Sequence, residues 1–163
     1  MEANAYLDFL GIEANNLVGH VIYEILSDHS SEISCWDITE SNDKAWVHFH
    51  CHSAILPEQG WKLHISASYD SAEIILRRVL PILLKEPTIF KIMTSLDFLS
   101  FMNQGDGGQS QVGKFITIYP LNASQAVHLA ASVDEVTRGL SGPRVPSDRP
   151  LHSESLVHYR YCL

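Results

Sequence analysis

The first 43 residues contain no lysine and no arginine, although they hold nine acids. Residues 44–163 hold ten acids and all eleven bases, so the two parts carry −9 and +1 of the formal charge of −8. Such an acidic chain is not built as a general nucleic-acid binder, whose affinity comes from neutralising phosphates. Long apolar runs are missing too: nothing approaches the roughly 20 residues of a membrane span. The opening stretch MEANAYLDFLGIE has no basic segment ahead of an apolar one, so it does not read as a secretory signal. Cysteine is scarce. Cys35, Cys51 and Cys162 are odd in number, widely spaced and free of any C-x-x-C pair. That pattern fits reduced thiols in a cytoplasmic protein, not a disulfide framework or a thiolate zinc knuckle. H-E-x-x-H, G-x-S-x-G, Walker A and G-x-G-x-x-G are all absent.

What is present suits one globular domain: 163 residues, 45% of them hydrophobic. Tyr6, Leu7, Phe9 and Leu10 suggest a short helix. Asn15 or Asn16 caps a second, with Leu17, Val18, Val21, Ile22, Ile25 and Leu26 on one stripe. Residues 1–43 therefore read as an acidic helical segment and 44–163 as sheet and helices, with no linker between them. Residues 45–52 and 61–67 alternate and are expected to pair as a hairpin across the LPEQG turn. Asp70 and Glu73 have capping-box spacing ahead of a helix that Pro81 should kink or end. A strand over 88–93 follows, then a helix capped by Thr94. Residues 104–112 read as a mobile, Gly-rich loop and 114–119 as a strand. A helix opens at Asn122 and closes at Gly139, residues 141–150 form a Pro-rich loop, and 157–162 is the last strand. The expected class is α+β, with a mixed or mainly antiparallel sheet flanked by helices.

Alternation in the segment Trp61–Ser66 puts Trp61, Leu63 and Ile65 on one face and Lys62, His64 and Ser66 on the other. One face can pack while the other presents an ammonium and an imidazole. Lys91 sits inside the apolar run Ile89–Met93, where desolvation depresses a lysine's pKa, as a general base requires. Lys114 opens a strand whose Phe115, Thr117 and Tyr119 alternate away from it, a constraint that is loose at a strand end. Arg144, Arg149 and Arg160 gather near the C-terminus with Tyr159 and Tyr161, and guanidinium forks suit phosphate oxygens. A competing constellation is His48, His50 and His52, three imidazoles facing one way along a strand. From first to last they would span roughly 13 Å, too far for one ion without a bend. A structural strand face is the stronger reading there.

The segments GWKLHISAS (60–68), IFKIM (89–93), GKFITIYP (113–120), GLSGPRVPSDRP (139–150) and SLVHYRYC (155–162) resemble, in order and approximate spacing, the N-terminal lyase domain of class III and IV lanthipeptide synthetases. The K-x-H strand followed by an isolated F-K is also the pattern of bacterial phosphothreonine lyase effectors. Residues 1–43 match only in helical character.

The resemblance implies a phosphothreonine-lyase-like fold. It also implies β-elimination of phosphate from phosphoserine or phosphothreonine of a precursor peptide, leaving dehydroalanine or dehydrobutyrine. By position, Lys91 matches the general base and should be neutral, its pKa lowered by cationic neighbours. His64 matches the general acid and should be protonated. Lys62 matches the group that polarises the amide carbonyl. Arg149 and Arg160 are the expected phosphate ligands, with Lys114, Tyr119 and Arg144 assisting. No cofactor and no metal are implied. The implied partners are the phosphorylated precursor peptide and the kinase and cyclase domains of a larger synthetase from which the chain would be excised. A different reading of the same residues is a non-catalytic module that recruits a precursor peptide to a kinase.

Overall fold

The computed structural model describes residues 16–162, so the helix expected around Tyr6–Leu10 lies outside the described residues. Helix α1 spans Leu17–Asp28 and a single turn, α2, spans Ser30–Ile33. Strands β1 (Trp36–Glu40), β2 (Trp46–Cys51) and β3 (Gly60–Ile65) follow, then α3 (Ala72–Leu84), β4 (Ile89–Met93) and α4 (Leu96–Asn103). After a 3-10 turn at Gln109–Gln111 come β5 (Ile116–Tyr119), α5 (Ala123–Thr137), β6 (Arg149–Pro150) and β7 (Val157–Cys162). The class is α+β. All described strands form one seven-stranded sheet in the order β1-β2-β4-β5-β3-β7-β6, and every pairing in it is antiparallel.

Several helix ends follow from local chemistry. The Asn16 side chain accepts the Gly19 N–H at 3.0 Å, and the Asn122 side chain accepts the Gln125 N–H at 2.8 Å. Gly139, at φ +81°, takes the left-handed conformation that leads the chain away after α5. Three local expectations are corrected. The Asp70–Glu73 capping box does not form: Ser71 takes the N-cap position of α3, and Glu73 instead pairs with Arg77 one turn on. Pro81 does not end α3, which continues to Leu84. Burial of Leu80, Leu83 and Leu84 around it outweighs one lost backbone bond. Ser95, not Thr94, caps α4 by accepting the Phe98 N–H at 3.1 Å, while the Thr94 hydroxyl donates to the Lys44 carbonyl.

The expected hairpin between β2 and β3 is also corrected. Strands β4 and β5 lie between them in the sheet, so the 52–59 connection crosses the ends of two strands. The acidic segment is not wholly helical either. Trp36–Glu40 forms edge strand β1 and occupies the side of β2 that faces away from β4.

Two adjacent rows of cross-strand partners organise the sheet. One runs Ile38, Phe49, Phe90, Ile118, Leu63, Tyr159 and Arg149; the next runs Thr39, His48, Lys91, Thr117, His64, His158 and Pro150. Neighbouring residues on a strand point to opposite faces, so one face is apolar and the other polar. On the apolar face Phe49 stacks on Phe90 at 4.5 Å, and the Trp36 edge meets both rings. The inward stripes of α1, α3 and α5, including Ile22, Leu26, Leu76, Leu80, Leu83 and Leu129, complete this core. Among the described residues no helix is long and apolar enough to cross a membrane.

Candidate active site

The polar face carries a cavity of about 170 Å³ lined by Trp46, Lys62, His64, Lys91, Gln111, Lys114, Thr117, Tyr119 and Arg160. Strand register explains this convergence. Lys91 and His64 are both direct partners of Thr117, so the strands that carry them flank β5. Lys62 pairs with Arg160 and sits two residues from His64, on the same face. The Lys62 ammonium lies 5.3 Å from the Tyr119 ring centroid. That of Lys91 lies 4.3 Å from the Trp46 ring, a contact that favours a cation.

Lys114 reaches the cavity although alternation from Thr117 would send it to the other face. The strand begins only at Ile116, and Gly113 at φ +79° turns the chain just before Lys114. The expected loop at 104–112 is held in place at its end. The Asn103 side chain accepts the Gly113 N–H and donates to the Ala67 carbonyl, both at 2.9 Å. That brings Gln111 to the rim.

A segment at 141–148 crosses the end of β3 and supplies the residue that sequence reasoning missed. Its anchors are serines. The Ser66 hydroxyl donates to the Pro143 carbonyl at 2.5 Å, and the Ser71 hydroxyl donates to the Ser141 carbonyl at 2.6 Å. Gly142 passes so close that a Cβ would sit 2.7 Å from the Ser66 oxygen. The segment ends by delivering Asp148 to His64. The His64 Nδ1–H donates to Asp148 Oδ2 at 2.5 Å, with side-chain exposures of 3% and 0%. This bond fixes the ring and leaves Nε2 free. Asp148 is 84 positions from His64, and nothing within the Pro-rich loop singles it out.

Charge and burial set the protonation states. Burial, then the Lys62 ammonium, holds Lys91 below the usual lysine range. Burial, then Arg160, does the same to Lys114. Burial pushes the Tyr119 phenol up. Burial would raise the Asp148 carboxyl, but the His64 hydrogen bond and charge leave it below the usual value. Burial also lowers His64, outweighing the upward pull of Asp148. In the free protein this favours a carboxylate beside a neutral imidazole, where the sequence reading has a protonated His64.

Arg160 brings a guanidinium to the cavity whose Nε–H is buried without a hydrogen-bond partner. The Asp148 Oδ1 carboxylate oxygen lies 3.7 Å from it. The other two arginines lie elsewhere. Arg149 is exposed and in register with Tyr159, on the row that faces the helices. Arg144 is exposed on the 141–148 segment. Neither lines the cavity. The three histidines also diverge. His48 is the cross-strand partner of Lys91, His50 bonds the Ala54 carbonyl at 3.1 Å, and His52 pairs with Asp37 at 3.0 Å. Trp46 and Thr117 carried a signal in the sequence, since each lies two residues along a strand from a candidate or a ring already on that face.

Comparison with known proteins gives a consistent picture. The family described as RamC, N-terminal domain, matches residues 27–163. A probable SapB synthase of Streptomyces coelicolor is 35% identical over 126 residues, which cover 77% of this chain but 13% of that protein. The fold is similar to that of the type III effector and phosphothreonine lyase OspF from Shigella flexneri. Its TM-score is 0.60 at 15% identity, covering 77% of this chain and 69% of that one. The phosphothreonine lyase SpvC, an effector from Salmonella, gives a TM-score of 0.58 at 18% identity, covering 82% and 74%. The Chromobacterium violaceum VirA (SpvC) phosphothreonine lyase effector gives 0.57 at 16% identity, covering 77% and 65%.

Proposed function

The chain belongs to the RamC N-terminal domain family, and from that premise we propose that it is a carbon–oxygen lyase that β-eliminates phosphate from phosphoserine or phosphothreonine in a precursor peptide. The observation that carries this reading is one open cavity that gathers three lysines, an arginine and a carboxylate-braced histidine. Such a cationic site suits a dianionic ester.

The steps follow from the chemistry of elimination. Lys91, its pKa depressed by burial, takes the Cα proton through its neutral amine. The Lys62 ammonium stabilises the enolate character that develops on the neighbouring amide oxygen. Arg160 and Lys114 hold phosphate oxygens, and the idle Arg160 Nε–H gains a partner when they do. His64 Nε2 donates the proton that leaves with phosphate. The substrate itself supplies the change that step needs: roughly two negative charges on the phosphate favour the imidazolium, which Asp148 then stabilises. The Cα–H and Cβ–O bonds break, a Cα–Cβ double bond forms, and no redox partner is needed. The product is dehydroalanine or dehydrobutyrine.

The SapB synthase, of which this chain matches a small part, suggests that the precursor peptide belongs to lanthipeptide biosynthesis and that kinase and cyclase domains act before and after. The test is incubation with a phosphoserine peptide and mass spectrometry. Loss of phosphoric acid supports elimination. Replacement of phosphate by hydroxyl indicates hydrolysis, and tight binding without turnover indicates the recruitment module instead.

A further inference from the structure

His158 lies outside the chemistry just described, yet it holds the turn that carries Asp148. It is 1% exposed, and both ring nitrogens are committed. Nδ1–H donates to the Leu156 carbonyl at 2.9 Å, and Nε2 accepts the Val145 N–H at 3.3 Å. Because Val145 can only donate there, Nε2 must be unprotonated. Val145, itself 1% exposed, is anchored in the other direction too: its carbonyl accepts the Asp148 N–H at 3.1 Å. That closes the turn Val145-Pro146-Ser147-Asp148, with proline at the position a type I or II turn favours. The Ser147 hydroxyl donates to Asp148 Oδ1 at 2.9 Å. The chain of contacts is continuous: His158, Val145, Asp148, His64.

A proton on Nε2 would set a ring N–H against a backbone N–H and place a charge in a closed site. The charged and titratable groups around the ring are His64, its partner on β3, Asp148 and Arg144 on the 141–148 segment, and Arg160 on its own strand. Pro150, opposite on β6, does not titrate. Burial and Arg144 disfavour the cation, whereas Asp148 favours it. Upstream, Ser66 and Ser71 keep their own carbonyl partners, so loosening would be confined to the turn.

We propose that neutral His158 is a positioning residue that locks the Val145–Asp148 turn and so keeps Asp148 on His64, and that protonation of His158 releases this lock. The catalytic consequence rests on the lyase reading above; the lock itself does not.

The test is a proton and nitrogen NMR titration of the full chain from about pH 7.5 to about pH 5, the range over which a histidine changes charge. It follows the His64 Nδ1–H signal, the Val145 amide and the His158 ring. In the wild type all three should change with one midpoint. In His158→Gln, whose amide offers an acceptor that does not titrate, the His64 signal should persist about one pH unit lower. Loss of the His64 signal at the same midpoint in both proteins would overturn the proposal. So would titration of His158 with no change at the Val145 amide, an outcome read in the wild type alone should the variant not fold. Elimination assays run alongside should show a shallower acid limb in His158→Gln. A wild type that eliminates no phosphopeptide would refute the lyase reading while leaving the NMR result to judge the lock.

Discussion

The carboxylate of Asp148 accepts the His64 Nδ1–H across 84 positions of sequence, and neither side chain meets solvent. A histidine so held has one free nitrogen, pointed by its neighbour and not by chance. Asp148→Asn keeps an oxygen acceptor but loses the charge that stabilises an imidazolium. We expect kcat for elimination to fall by about 10²–10³-fold. The alkaline limb of the pH–rate profile should also move down, because His64 then gives up its proton more readily. Stopped assays over a pH series with a phosphoserine peptide check both effects.

Lys91 is half-buried, under the Trp46 ring and near Lys62. Its removal should cost activity and not stability. Lys91→Ala and Lys91→Arg should lose about 10²–10⁴-fold in kcat with phosphopeptide binding little changed, as read by calorimetry. Lys91→Met should raise the melting temperature, since a thioether chain is easier to bury than an ammonium beside another cation. A melting temperature at or below wild type would show that the Trp46 contact outweighs that burden.

Arg160 and Arg149 separate a cavity residue from an edge residue of the same type. A charge-assisted phosphate contact contributes about 1.5–3 kcal/mol. Arg160→Gln should therefore raise KM for a phosphopeptide by about 10–100-fold. Arg149→Ala should leave KM within about two-fold of wild type, because exposed single charges contribute little. Equal effects of the two substitutions would remove Arg160 from its assigned role.

Stability should fall on mild acidification. His48, His64 and His158 are all held below the reference value of 6.5, burial being the leading cause in each. The unfolded chain therefore binds protons first, and stability drops as the pH falls below about 6.5. Asp148, held below its reference value of 3.8, adds a further loss as it protonates at lower pH. Melting curves from neutral to acid pH test this, and His158→Gln should remove part of the first drop.

Much of the architecture was readable because strands and helices stamp their periods on the sequence. The alternation of Trp61–Ser66 was enough to place Lys62 and His64 on one face. The Asn16 and Asn122 caps were visible as side-chain oxygens three residues from the N–H groups they satisfy. What failed was pairing. Alternation shows which face a residue occupies but not which strand lies beside it, so β2 and β3 looked like neighbours although β4 and β5 separate them. The same gap misassigned Arg149: its residue type suits phosphate, but its register with Tyr159 aims it away from the cavity.

From sequence alone came the α+β class, the local faces and the residue types able to manage a phosphate ester, because these depend on spacings of a few residues. The acidic first 43 residues and the nearly neutral remainder, which holds all eleven bases, were also plain, and they separated the cationic site from the net charge of −8. Tertiary structure decided everything that depends on long closures. It set the strand order, the convergence of Lys62, Lys91, Lys114 and Arg160, and the arrival of Asp148 at His64. It also decided which cations are desolvated, since burial is a property of the packed sheet and shifts the Lys91, Lys114 and His64 protons in ways that no local pattern contains.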